Sequence, residues 1–172
     1  MSLYQKIFEI GVKIFAKSTL FKWGYNLSPM YRRTTARITK VSKDLLLIKI
    51  RLPLSYKNKN YVNSIFGGSM FSAVDPIPMV QLINLLDKNY VVWDKSAEVR
   101  FKIPAREDLY AQFSFSEEEV EQIKKRIKTE NEIEISKVTA LTNKTGDKIF
   151  CEITKVIYVA DRDFYKRKRG KK

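Results

Sequence analysis

A chain of 172 residues, 44% apolar and 30% charged, has the length and composition of one globular domain with a real core. It contains no histidine, which removes Ser-His and Cys-His nucleophile pairs, His-based zinc sites and any histidine general base. The formal charge of +14 is uneven. Residues 1–60 carry 13 Lys/Arg against 2 Asp/Glu, residues 61–161 carry 13 against 16, and residues 162–172 carry 7 against 1. That is the pattern of a near-neutral domain with basic attachments rather than of a nucleic-acid-binding domain.

No run approaches the roughly 18 apolar residues of a membrane span. The N-terminus lacks the apolar core and cleavage site of a signal peptide. The single cysteine, Cys151, fits a reducing compartment and sits in an alternating strand pattern as a small core residue. These features place the protein in the cytoplasm.

Residues 3–23 read as a basic amphipathic helix. Leu3, Ile7, Ile10 and Ile14 recur at helical spacing, with Lys6, Lys13 and Lys17 on the other side. Such a helix either packs on its own domain or a partner subunit, or lies on an anionic membrane surface. Ser28-Pro29 breaks the pattern. Arg37–Val41 and Leu45–Leu52 read as two strands joined by a turn at Ser42-Lys43-Asp44, and a polar loop with Lys57 and Lys59 follows.

The stretch from Asn60 to Asp75 carries the chemistry. Gly67-Gly68 opens a helix of about 20 residues, apolar nearly all round, that runs to Leu86-Asp87. A glycine-opened helix start leaves backbone N–H groups free, at the end that the helix dipole makes attractive to negative charge. About two turns on stands one carboxylate, Asp75. Pro76 and Pro78 follow it, and predict a kink or restart directly after Asp75. Asp75 is then either a functional carboxylate near the helix start or a plain cap for the restarted helix.

Val91–Ile103 is a long strand, with Ala97, Val99, Phe101 and Ile103 on one face. Leu109–Phe115 is the next strand. Ser116 with Glu119 forms a capping box for a charged helix to about Thr129, striped by Val120, Ile123 and Ile127. Glu132–Thr142 and Lys148–Val159 form a hairpin across Asn143–Asp147. The order predicts an α+β fold, an antiparallel sheet around one apolar helix. Its organisation is an N-terminal amphipathic helix over 1–30, the domain over 31–161, and a basic tail without order over 162–172.

Asn60, then Phe66-Gly67-Gly68 six residues later, then Asp75 in the long helix, resembles a motif of the hotdog-fold thioesterase superfamily. The branch it resembles is the phenylacetyl-CoA-thioesterase-like one, which has His-Gly-Gly where this chain has Phe66-Gly67-Gly68. Ala97–Arg106, ending Ile103-Pro104-Ala105-Arg106, and the closing hairpin also resemble that family, and Val92–Lys95 resembles a little-characterised sub-branch. The resemblance covers about residues 36–159. It implies an acyl-CoA thioesterase, a homodimer or dimer of dimers with active sites between subunits. No metal or other cofactor is implied, coenzyme A being part of the substrate. Gly67 or Gly68 N–H, with the Asn60 amide, would hold the oxyanion. Asp75 of the facing subunit would activate water or attack directly. Asp94 would help orient the water or simply pair with Lys95. Phe66 and Asn63 would border the substrate, and Arg100, Lys102 and Arg106 would meet the phosphates of coenzyme A unless they form a solvated strand face. Related hotdog dehydratases need a histidine, so that activity is excluded. Two other readings stand beside the enzyme: a non-catalytic acyl-CoA or lipid-binding module at a membrane, and sequence-blind nucleic-acid binding through the tail.

Overall fold

The structure, a computed structural model, describes Gly11 and residues 15–170. The chain runs α1 (Lys17–Leu27), α2 (Pro29–Arg33), β1 (Arg37–Val41), β2 (Leu47–Leu52), α3 (Gly67–Val74) and α4 (Pro76–Leu85). It continues with β3 (Tyr90–Phe101), β4 (Leu109–Ser114), α5 (Glu117–Glu130), β5 (Glu132–Thr142), β6 (Ile149–Asp161) and α6 (Arg162–Gly170). The six strands form one antiparallel sheet in the order β1-β2-β4-β5-β6-β3.

The broken helix α3–α4 lies against this sheet. Met70, Ala73, Val74 and Ile77 pack with inward residues of β1, β2, β4 and β6 such as Ile38, Ile50, Leu109 and Ile153. A second cluster joins Leu82 and Leu86 to Ile157, Val159 and the buried stripe of α5. That stripe is Val120, Ile123 and Ile127, and the Ser116–Glu119 capping box starts the helix. Cys151 is buried in the main core, and burial pushes its thiol up to about 11.

Chemistry at the helix junction explains how the break after Asp75 is held. Pro76 sits at the first position of α4, where no helical N–H is needed. Two tyrosines from the N-terminal elements reach the carbonyls around the break. The Tyr31 hydroxyl donates to Ala73 O (3.0 Å) and the Tyr25 hydroxyl to Pro76 O (3.1 Å). Tyr25 stacks on Phe21 and meets Tyr31 edge-on. On the same side of the fold Asn26 pairs with the edge strand, accepting from Ile38 N (2.8 Å) and donating to Ile38 O (2.9 Å). The β1 edge is thereby covered.

Burial pushes the Tyr25 and Tyr31 phenols well above their ordinary value of 10.0. The folded state therefore keeps protons that the unfolded chain releases near pH 10. The stability they contribute is complete below pH 10 and declines as pH rises above it. Thermal melts are expected to show Tm falling above about pH 10, and Tyr25→Phe should flatten that fall. An identical alkaline slope in the variant would show that Tyr25 is not among its causes.

Three expectations need correction. The tail is ordered as far as Gly170: α6 folds back so that Tyr165 meets Trp93 edge-on and Lys168 reaches Glu132 (2.7 Å). The long strand ends at Phe101, and beyond a bulge at Asp94–Ser96 only Val99 of its apolar row packs against the core, while Ala97 and Phe101 are exposed at the sheet edge. The expected helix over 3–23 is described from Lys17 and extends to Leu27; residues 1–10 and 12–14 lie outside the described residues. No helix among the described residues is long and apolar enough to cross a membrane.

Candidate active site

The N-terminus of α3 is built by two close approaches. A Cβ on Gly67 would lie 2.7 Å from the Phe101 ring, and one on Gly68 would lie 2.3 Å from the Phe66 ring. Only glycine lets both aromatic rings rest on this turn. Phe66 is the N-cap residue and supplies no side-chain acceptor. The Gly67 and Gly68 N–H groups have no partner among the described residues, while Ser69 N and Met70 N both donate to Phe66 O. Two free donors thus stand at the positive end of an eight-residue helix.

Asp75 is the hinge residue between α3 and α4, with helical φ and ψ of −44° and −52°. Its side chain caps nothing, so the restart-cap reading is not what the fold uses. Nor is the carboxylate buried, as the apolar run around it suggested: its side chain is 41% exposed. One oxygen bonds the Lys155 ammonium, and Oδ2 has no partner among the described residues.

Lys155 is the residue that sequence reasoning missed. It projects from β6 in the inward row Cys151, Ile153, Lys155, Ile157, Val159, with its side chain only 2% exposed. One charged residue in an otherwise apolar inward row was the available signal. Lys155 also bonds Asp94 Oδ2 at 2.8 Å, and its ammonium lies 5.8 Å from the centre of the Phe71 ring. Lys155 thus bridges two carboxylates.

Asp94 stands in the inward row of β3 with Val92, opposite Ile157 and directly before a bulge in which Lys95 is the extra residue and Ser96 opposes Val156. The expected Asp94–Lys95 pair does not form; Lys95 pairs with Glu134 instead. Asp94 Oδ1 is buried without a hydrogen bond. Desolvation pushes the Asp94 carboxyl above its ordinary range, against the lowering pull of Lys155.

Phe66, Gly68 and Asp75 line one open groove of about 390 Å³, together with Ser69, Ser72 and Pro76 of the helices and Met30, Arg33 and Thr34 of the N-terminal segment. The other sequence candidates lie elsewhere. Asn60 spends its side chain on its own turn, accepting from Val62 N and Ser64 N and donating to Ser64 Oγ (2.9 Å). Asn63 supplies the left-handed residue of that turn, at φ 62°. Arg100 pairs with Glu98 (2.8 Å) and Lys102 with Glu152 (2.7 Å), and none of Arg100, Lys102 and Arg106 lines the groove.

Along the helix axis, the seven or eight residues from the glycine pair to Asp75 rise roughly 11 Å. A thioester carbonyl held by the Gly67 or Gly68 N–H is therefore beyond the reach of Asp75 on the same helix. The arrangement offers two half-sites: free donors at one end, an anchored carboxylate at the other.

A family described as a domain of unknown function, DUF4442, matches residues 17–159. No curated protein matches the chain. Among solved structures, the chain is similar to PA5026 of Pseudomonas aeruginosa, described as a probable thioesterase. The TM-score is 0.74 at 18% identity, over 84% of this chain and 95% of that one. It is also similar to a protein of unknown function from Chlorobaculum tepidum (TM-score 0.65, 16% identity, 84% and 94% covered). A third is the thioesterase HI1161 of Haemophilus influenzae (TM-score 0.58, 12% identity, 82% and 88% covered). These likenesses establish the hotdog fold.

Proposed function

The chain belongs to the DUF4442 family, whose description assigns no chemistry, and we propose that it hydrolyses the thioester bond of an acyl- or aryl-coenzyme A. The observation that carries this reading is a groove whose lining carries two half-sites, the half-exposed Asp75 carboxylate and the Gly68 start of α3, which a facing copy would complete. Hydrolysis needs both: donors aimed at a carbonyl oxygen that becomes an oxyanion, and a base for water. The thioesterase descriptions of two of the similar structures agree with it.

In this mechanism the Gly67 and Gly68 N–H groups hold the thioester oxygen. Asp75 Oδ2 takes a proton from water as the water oxygen bonds the carbonyl carbon. The tetrahedral intermediate collapses with loss of the C–S bond, and the proton passes to the leaving sulfur, giving a carboxylic acid and free coenzyme A. If Asp75 instead attacks directly, its oxygen displaces the coenzyme A thiolate to give an anhydride, and water that attacks the Asp75 carbonyl of that anhydride leaves oxygen-18 on Asp75 after one turnover. With Phe66 where the resembling motif has histidine, the carbonyl is held by backbone N–H groups without a polar ring.

The roughly 11 Å between the half-sites is bridged by a second copy of the chain. β1 is covered by Asn26, and the Trp93 end of β3 by Tyr165, but the Ser96–Phe101 end of β3 is an open edge beside the Gly67 turn. A β3–β3 pairing there brings Asp75 of the partner subunit towards the donors of the first.

The test is release of free thiol from a panel of acyl- and aryl-coenzyme A thioesters. Turnover on at least one of them is expected, and none on any chain length would sink the enzyme reading. A membrane-associated second reading is favoured by the outer face of the N-terminal segment. Trp23 and Leu27 are exposed one turn apart on α1 and Met30 is exposed on α2, and residues 15–43 contain no acidic side chain but include Lys17, Lys22, Arg32 and Arg33. Co-sedimentation is expected with vesicles containing 30% phosphatidylserine and not with neutral ones, and Trp23→Ser with Leu27→Ser should abolish it. Equal binding to neutral vesicles would remove the electrostatic part of this reading.

A further inference from the structure

The inward row of β6 would bury more apolar surface with an aliphatic residue at 155, as at 153 and 157. A lysine there carries a desolvation cost that only its partners offset. The fold supplies two from different elements: Asp75 at the hinge of the central helix, and Asp94, in the inward row of β3 opposite Ile157. One carboxylate would suffice to neutralise the ammonium. The second leaves a cluster with a surplus negative charge beside the groove, and a buried carboxylate oxygen with no hydrogen bond. A purely structural ion pair has no need of either feature.

The consequence falls on Asp75. Its hinge position, 41% exposed, would let a free carboxylate turn through several rotamers into solvent. With one oxygen bonded to a buried ammonium, those rotamers collapse to one, and the untied oxygen is left for the groove. Asp94 holds the ammonium from the other side, so that Lys155 does not follow Asp75 outward. Resting on the hydrolase reading above, we propose that Lys155, braced by Asp94, is the positioning residue that fixes the Asp75 carboxylate for water activation. It acts through Asp75 and touches neither substrate nor the reacting atoms.

The experiment is a double-mutant cycle with steady-state kinetics on the best thioester of the panel, alongside melts of each variant. Lys155→Met is expected to lower kcat by about 100-fold with KM within threefold, because what is lost is the orientation of the base. In an Asp75→Asn background the same change should cost less than threefold more. Asp94→Asn, which keeps an oxygen for Lys155 and removes a desolvated charge, is expected to fold, and to lower kcat by about tenfold with KM unchanged. If Lys155→Met does not fold, Asp94→Asn decides alone: a wild-type kcat overturns the proposal. Folded Lys155→Met with kcat within threefold of wild type, or losses that multiply fully with Asp75→Asn, also overturn it. Absence of wild-type turnover on every thioester overturns the hydrolase reading itself and this role with it, which separates the two failures.

Discussion

Asp75→Asn is expected to lower kcat/KM for thioester hydrolysis by about 10³-fold while leaving the fold intact, the loss typical of removing a general base. The amide keeps the size and one oxygen of the carboxylate, so the hinge between α3 and α4 need not move. Lys155 retains Asp94 at 2.8 Å and is not left as an uncompensated buried charge. The tyrosine bonds to Ala73 O and Pro76 O that hold the break do not involve the Asp75 side chain. An amide cannot take a proton from water, so the loss should appear in kcat with KM nearly unchanged. A folded variant within threefold of wild-type turnover would remove Asp75 from the mechanism. The Gly67 and Gly68 donors would then remain without a base in the groove.

Ala97→Glu is expected to convert a dimer into a monomer and to reduce turnover by about 100-fold or more, although Ala97 lies outside the groove. The free N–H groups of α3 and the Asp75 carboxylate are separated by roughly 11 Å of helix. The open half of β3 is the uncovered edge nearest the Gly67 turn, since the Phe101 ring lies against it. Ala97 is exposed there and makes no ion pair. A glutamate in its place sets like charges near one another across a two-fold strand pair; because Ala97 stands opposite Lys155, Ser96→Glu on the other face of β3 is made beside it and should give the same loss without touching that cluster. Sedimentation equilibrium and the thiol-release assay read the two effects on the same samples. A monomeric variant with full turnover would show that one chain completes its own site, and a monomeric wild type would remove the second copy altogether.

Much of the fold was legible in the sequence because local periodicity and punctuation agree with the tertiary structure. β5 spans Glu132–Thr142 as its alternation predicts. The capping box at Ser116–Glu119 starts α5, and the stripe of Val120, Ile123 and Ile127 is the buried side of that helix. Pro76 and Pro78 announced the break after Asp75, and the Gly-Gly pair announced an open helix start. The tail misled because seven cations in eleven residues suggest a solvated end. What orders it is long-range, the contacts of Tyr165 with Trp93 and of Lys168 with Glu132.

For the candidate site, composition fixed the inventory. Without histidine, a base in a groove of this chain falls to a carboxylate, lysine, tyrosine or cysteine, and the apolar central helix contains one carboxylate, Asp75. Tertiary structure decided what that carboxylate meets. Asp75 and Lys155 are 80 residues apart, and Asp94 joins them from the strand that pairs with β6. A bulge shows in a period-two pattern only as a change of phase, here between Val92 and Val99, and an ion pair across a sheet leaves no trace in local spacing. Local chain physics therefore specified the elements and the residue types available for chemistry. The packing of β6 and β3 against the central helix chose which charges stand together, because that choice rests on contacts between segments far apart in the chain.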